Sequence, residues 1–101
     1  MHALDALGNS VRRDILVALR DRPLAVHEIA ERFSISRPAI SRHVRVLEDA
    51  GLVEATTQGR ESLYAVRLQG FASVREYLDG FWDVALQRLA ALAREEEAPR
   101  R

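Results

Sequence analysis

This chain contains no cysteine and no lysine. The first absence excludes disulfides, thiolate-bound metals and thiol redox sensing together, so any sensing chemistry must use other ligands. The second makes all fifteen basic residues arginine. Arginine carries a planar, permanently charged fork that suits phosphate and the acceptor edge of guanine, although a lysine-free, alanine- and arginine-rich composition is also what a GC-rich genome produces. Surplus charge of either sign is missing too: the formal net charge is zero, so a basic surface has to come from local clustering. No apolar stretch approaches the roughly 20 residues that span a bilayer, and Met1 to Asn9 lacks a basic segment followed by an apolar run. The expectation is a cytoplasmic protein with no membrane partner.

What remains is a 101-residue chain, 48% hydrophobic and 30% charged. That is enough for one domain over 1–101, with a modest core unless a partner subunit adds to it. Neither an internal repeat nor a low-complexity linker interrupts it. Leu4 and Leu7 fit one face of a short opening helix. Asn9 can cap a second, with Val11, Ile15, Leu16 and Leu19 at three- and four-residue spacing, ended by Pro23. Val26, Ile29, Ala30 and Phe33 form a third, shorter apolar face. Ser36 can cap a fourth helix with Pro38 in its first turn, Ile40, Val44 and Leu47 on one stripe, and Gly51 as its stop. The period then changes: Leu52–Thr56 and Ser62–Val66 are β-prone runs around a turn at 57–61. A long helix of about 71–95 closes the chain, with Phe71, Val74, Leu78, Phe81, Trp82, Ala85, Leu89 and Leu92 in steps of three and four. The predicted class is mainly α with a small β-hairpin, in the order helix-helix-helix-helix-strand-strand-helix.

Two helices joined by a short turn, followed by a hairpin, have the form of a winged helix-turn-helix. With Ile40, Val44 and Leu47 turned inward, Arg37, Ser41, Arg42 and Arg45 point outward, His43 lies on a flank, and no acid occurs between Ser36 and Leu47. Arginine can pair with guanine O6 and N7, and serine can reach a base edge or a phosphate. A charged helix face is more often merely solvated, but the exclusion of acids weakens that reading. His43 can touch phosphate or pack at the edge of the helix. Arg60, in a glycine-containing turn, adds a protruding cation suited to a narrow minor groove.

The run Leu7–Leu16 (LGNSVRRDIL), the run Ser36–Val53 (SRPAISRHVRVLEDAGLV) and the run Gln58–Tyr64 (QGRESLY) together resemble the opening, recognition-helix and wing signatures of the ArsR/SmtB family of winged helix-turn-helix repressors. The resemblance implies a homodimeric transcriptional regulator whose DNA-binding residues are Ser36, Arg37, Ser41, Arg42, His43, Arg45 and Arg60. Its first and last helices would pair across a two-fold axis, which makes Leu4, Leu7, Leu78, Trp82, Ala85 and Leu89 the dimer interface. Two recognition helices would then face successive major grooves of an inverted-repeat operator and exclude polymerase. Two positions depart from the family pattern. Ala25 stands where a hydroxyl usually caps the third helix, which should weaken that cap. Arg37 stands where glutamine is usual, and this exchange can move base preference from adenine toward guanine.

Many relatives sense metals through a cysteine pair in the third helix, where this chain has His27-Glu28-Ile29-Ala30-Glu31-Arg32-Phe33, or through Asp and His on the last helix, where it offers only Glu76, Asp79 and Asp83. Phe81-Trp82 resembles a branch without the usual ligands. No metal or other cofactor is expected, with a composite site of His2 and Asp79 or Asp83 of a second chain as the single alternative. His2, His27 and His43 fall on three elements, and no nucleophile with a spaced base can be read, so an enzyme is not expected. The sequence names no inducer. Three alternatives stay open: the last helix's stripe can pack within the chain on Leu4, Leu7, Ile15 and Leu19; a small-molecule pocket can form around Trp82 at the dimer helices; and the winged helix can serve protein–protein contact.

Overall fold

The computed structural model describes residues 3–97. Four helices, α1 (Ala3–Ala6), α2 (Ser10–Leu19), α3 (Val26–Ala30) and α4 (Arg37–Asp49), precede a hairpin of β1 (Val53–Gln58) and β2 (Glu61–Val66). A 3₁₀ turn, Leu68–Phe71, leads into α5 (Ala72–Glu97). The order is the one the hydrophobic periods predict, with the 3₁₀ turn as an addition. No helix among the described residues is long and apolar enough to cross a membrane.

Local chemistry explains the boundaries. Asn9 accepts from the Arg12 N–H at 3.1 Å and so caps α2. α1 has no such cap at its end. Instead Arg12 Nε donates to the Ala6 carbonyl at 2.7 Å and Arg13 Nη1 donates to that of Leu7 at 2.7 Å, satisfying groups that a helix terminus leaves orphaned. Within the chain α1 docks through Ala3 and Ala6, which are buried, while Leu4 is exposed and Leu7 half-buried. α4 ends at Gly51, whose φ of 78° is the left-handed conformation glycine adopts at little cost. The Leu52 N–H reaches the Leu47 carbonyl and the Gly51 N–H that of Glu48, the paired bonds of a Schellman motif.

The hairpin turn is tighter than predicted. Gln58 pairs with Glu61, which leaves Gly59 and Arg60 as a two-residue loop. Only Gly59 has positive φ, at 65°, as a type II′ turn requires at its first central position. Leu24 joins the base of the hairpin as an isolated bridge: its N–H donates to the Tyr64 carbonyl at 3.0 Å, and the Tyr64 N–H donates back at 2.8 Å.

The core gathers Ile15, Leu16 and Leu19 of α2, Leu24, Ile29 of α3, and Ile40, Val44 and Leu47 of α4 against Leu52, Val53 and Val74. No polar or charged side chain among the described residues is buried, so each element contributes one apolar face and keeps its charges in water. The 3₁₀ turn packs its backbone on the end of α4, and a Cβ at Gly70 would overlap the Gly51 carbonyl. Gly70→Ala should therefore destabilise the fold by about 1–3 kcal/mol, since the obstacle is backbone and not a flexible side chain. A lowered urea midpoint at fixed protein concentration, with unchanged slope, is the expected result.

α5 departs from this core almost at once. Val74 is its one buried residue among those described, and the chain extends over 74 × 26 × 24 Å because the rest of the helix projects. The reading in which the last stripe packs back on the chain's own domain is thus overturned.

Candidate nucleic-acid interface

The helix-turn-helix is α3, a tight turn, and α4. The turn is closed by bonds from the Arg32 N–H to the Ile29 carbonyl and from the Phe33 N–H to the Ala30 carbonyl, and half-buried Phe33 packs against the core. Ala25 cannot cap α3 with a side chain, but Glu28 Oε1 accepts from the Ala25 N–H at 2.9 Å. That reciprocal half of a capping box satisfies one donor without a hydroxyl. The same N–H, with Arg22 beside it, holds the Glu28 carboxyl below the usual range.

Ile40, Val44 and Leu47 anchor α4, being at most 1% exposed. Opposite them Arg37, Ser41, Arg42 and Arg45 are all exposed. Ser36 Oγ accepts from the Ala39 N–H at 3.3 Å and keeps its own proton to donate. Among the described residues no carboxylate lies within ion-pair distance of Arg37, Arg42, Arg45 or Arg60. This separates them from Arg12, Arg13 and Arg67, which donate to backbone carbonyls of their own fold.

His43 sits at the seam between α2 and α4, half-buried, with Arg12 Nη1 at 3.5 Å from its Nδ1. Burial first, then the charges of Arg12 and Arg42, lowers its pKa. Facing a guanidinium that can only donate, Nδ1 is the acceptor, and in the neutral ring the proton sits on Nε2. Of its two sequence readings, packing at the helix edge is the one the geometry favours.

Arg60 at the wing tip and Arg37 at the start of α4 line one cleft of about 220 Å³, together with His27, Glu61, Ser62 and Tyr64. The sequence assigns no role to His27 and does not single out Glu61. Their partnership across 34 positions has no local signal, because only the fold brings α3 beside the wing.

On the far side, α5 leaves Leu78, Phe81, Trp82, Leu89 and Leu92 more than half exposed, and Leu4 of α1 is 42% exposed. Among the described residues no group of three His, Asp or Glu side chains is placed to hold a metal ion, and Asp79 instead lies 3.8 Å from Arg75. The composite site through His2 lies outside the described residues. Operator affinity is expected to be indifferent to micromolar Zn²⁺, Cd²⁺ and arsenite, because soft metals need thiolates and zinc prefers imidazole with thiolate or carboxylate in a tetrahedral set. A chelator-treated DNA titration with each metal checks this; a tenfold loss of affinity at stoichiometric metal would overturn it.

Comparison with known proteins places this architecture. Residues 9–55 match the family described as "Bacterial regulatory protein, arsR family". The chain is 41% identical over 90 residues to the HTH-type transcriptional regulator Rv2034 of Mycobacterium tuberculosis, covering 89% of this chain and 84% of that one. It is 38% identical over 61 residues to the HTH-type transcriptional repressor SmtB of the same species, covering 60% of this chain and 45% of that one. Among solved structures, one described as a possible transcriptional regulator for arsenical resistance superposes with a TM-score of 0.76 at 35% identity, over 99% of both chains. The homodimeric winged helix-turn-helix domain of Mb0332 from Mycobacterium bovis gives 0.65 at 27% identity, over 85% of this chain and 80% of that one. The chain belongs to the arsR family of bacterial regulatory proteins, as a winged helix-turn-helix transcriptional regulator and not an enzyme.

Proposed function

We propose that this regulator is a cytoplasmic repressor that binds an inverted-repeat DNA operator as a homodimer, placing α4 of each protomer in the major groove and the wing tip on the flanking backbone or minor groove. The observation that carries this is the outward face of α4: arginines free of carboxylate partners among the described residues, set on a helix whose opposite face is locked in the core. Its N-terminal end also carries the positive pole of the helix dipole beside Arg37, where a phosphate is favoured.

Dimerisation is argued from α5. At 3.6 residues per turn Val74, Leu78, Phe81, Trp82, Ala85, Leu89 and Leu92 fall within an arc of roughly 100°, the width of one packing surface. Its own domain covers only the beginning of that stripe, at Val74. A second copy presenting the same face, with Leu4 and Leu7 of α1 at its edge, would cover the remainder of α5 isologously. The homodimeric state of the Mb0332 domain supports an assembly of two copies. Repression by occlusion follows from a dimer occupying two successive major grooves of a promoter.

The test is to measure mass and binding together. Light scattering should give twice 11.4 kDa for the free protein, and anisotropy on duplex DNA should show affinity that falls steeply with salt. A monomer with salt-independent binding would defeat the proposal. Arg60→Ala should weaken binding to many sequences alike and reduce the salt slope by about one for each wing in contact. A loss confined to one operator base pair would instead assign Arg60 to base readout.

A further inference from the structure

The wing is firmly held only near its base. Val53 is buried and Leu63 to Val66 are half-buried, whereas Glu54 to Ser62 are exposed throughout. The Leu24 bridge meets β2 at Tyr64, again in the proximal half. A two-stranded hairpin without packing is free to pivot, so the position of its tip depends on whatever reaches beyond Tyr64. One such contact stands out among the described residues. His27 of α3 donates from Nε2–H to Glu61 Oε1 at 2.9 Å, at the residue next to Arg60, while Glu31 Oε1 lies 4.0 Å from Nδ1 on the other side of the ring.

We infer that His27 and Glu61 are positioning residues for DNA binding: their hydrogen bond fixes the distal wing against α3 and so sets the span between Arg60 and Arg37 that the DNA backbone must match. The inference rests on the DNA-binding reading above. Two physical effects act in the same direction. The bond limits the pivot of the tip, so less ordering is left to be done on binding. It also occupies the Glu61 carboxylate, which lines the same cleft as both arginines and, if released, would compete with phosphate for them. With side chains 45% and 57% exposed, the pair adds little to folding. Its effect therefore belongs to the wing tip and not to the core.

The experiment compares wild type, His27→Ala, His27→Gln, Arg60→Ala and the His27→Ala/Arg60→Ala double variant of the full chain on a duplex enriched from random DNA. His27→Ala should lower affinity about three- to tenfold, with the melting temperature moving by less than about 2 °C. His27→Gln should restore most of the loss, because its amide N–H can donate to the same carboxylate. In the Arg60→Ala background, His27→Ala should cost less than about twofold, since the tip then has no cation to position. Wild-type affinity in His27→Ala, no rescue by glutamine, or an undiminished loss in the Arg60→Ala background would each overturn the inference. A wild-type chain that selects no DNA would defeat the regulator reading itself and this inference with it, a result distinct from strong binding that ignores His27.

Discussion

Leu78→Glu and Trp82→Glu are expected to yield soluble monomers that no longer bind operator DNA. Within one chain these side chains are 55% and 65% exposed, so a carboxylate at either position meets water and leaves the helix-turn-helix folded. In the dimer the same carboxylate would enter a desolvated apolar seam without a partner, at a cost of about 2–4 kcal/mol. A two-fold axis repeats each substitution, so the dimer constant should weaken by upwards of roughly a thousandfold. Operator affinity falls with it, because two half-sites must be engaged together for full affinity. Light scattering that finds intact dimers for both variants would contradict the interface, and melting that disappears altogether would show that α5 supports its own domain after all.

Arg37→Ala and Arg42→Ala should each remove about 1–3 kcal/mol of specific binding per half-site, if the guanidinium makes a bidentate contact to a guanine edge. Over two half-sites that is roughly 30- to 10⁴-fold. Both residues are exposed and without carboxylate partners among the described residues, so circular dichroism and melting should stay at wild-type values. The informative comparison is with Arg60→Ala. Loss at α4 should relax the preference at particular base pairs, whereas loss at the wing should lower affinity for all sequences alike. Unchanged operator affinity in both α4 variants would reject this face as the reader.

α4 was the most legible part of the chain. Ser36 as cap, Pro38 in the first turn, the Ile40, Val44 and Leu47 stripe and Gly51 as terminator all act locally, and each stands where the pattern placed it. Inside and outside on α4 follow from that stripe, which is why Arg37, Ser41, Arg42 and Arg45 could be assigned to the exposed face beforehand. The hairpin was legible as an element but not in its register. Thr57, Gln58 and Glu61 suit either a strand end or a loop, and the left-handed φ at Gly59 decides for the tighter turn. On α1 the face of Leu4 and Leu7 could be read, but not that this four-residue helix docks on its own domain through Ala3 and Ala6, small enough for close approach, and leaves Leu4 outward. At α3 the missing hydroxyl of Ala25 was visible in the sequence, whereas the compensation by Glu28 needed the observed geometry.

Contacts between distant elements were not legible at all. Arg12 with His43, His27 with Glu61 and Leu24 with Tyr64 join residues whose spacing follows no helical or strand period. They join α2 to α4, α3 to the wing, and the α2–α3 connection to β2. The exposure of α5 was half legible: the stripe could be read, but which surface covers it depends on how soon the helix leaves the core, and it does so just after Val74.

The most direct test of the account is selection of bound sequences from random duplex DNA by the full chain. It predicts an enriched inverted repeat whose half-site centres lie about one helical turn, roughly 34 Å, apart, with guanine prominent at the positions facing Arg37 and Arg42. Enrichment of a single unpaired half-site would contradict the two-fold dimer on DNA, and a pool left at random composition would contradict DNA recognition by α4 altogether.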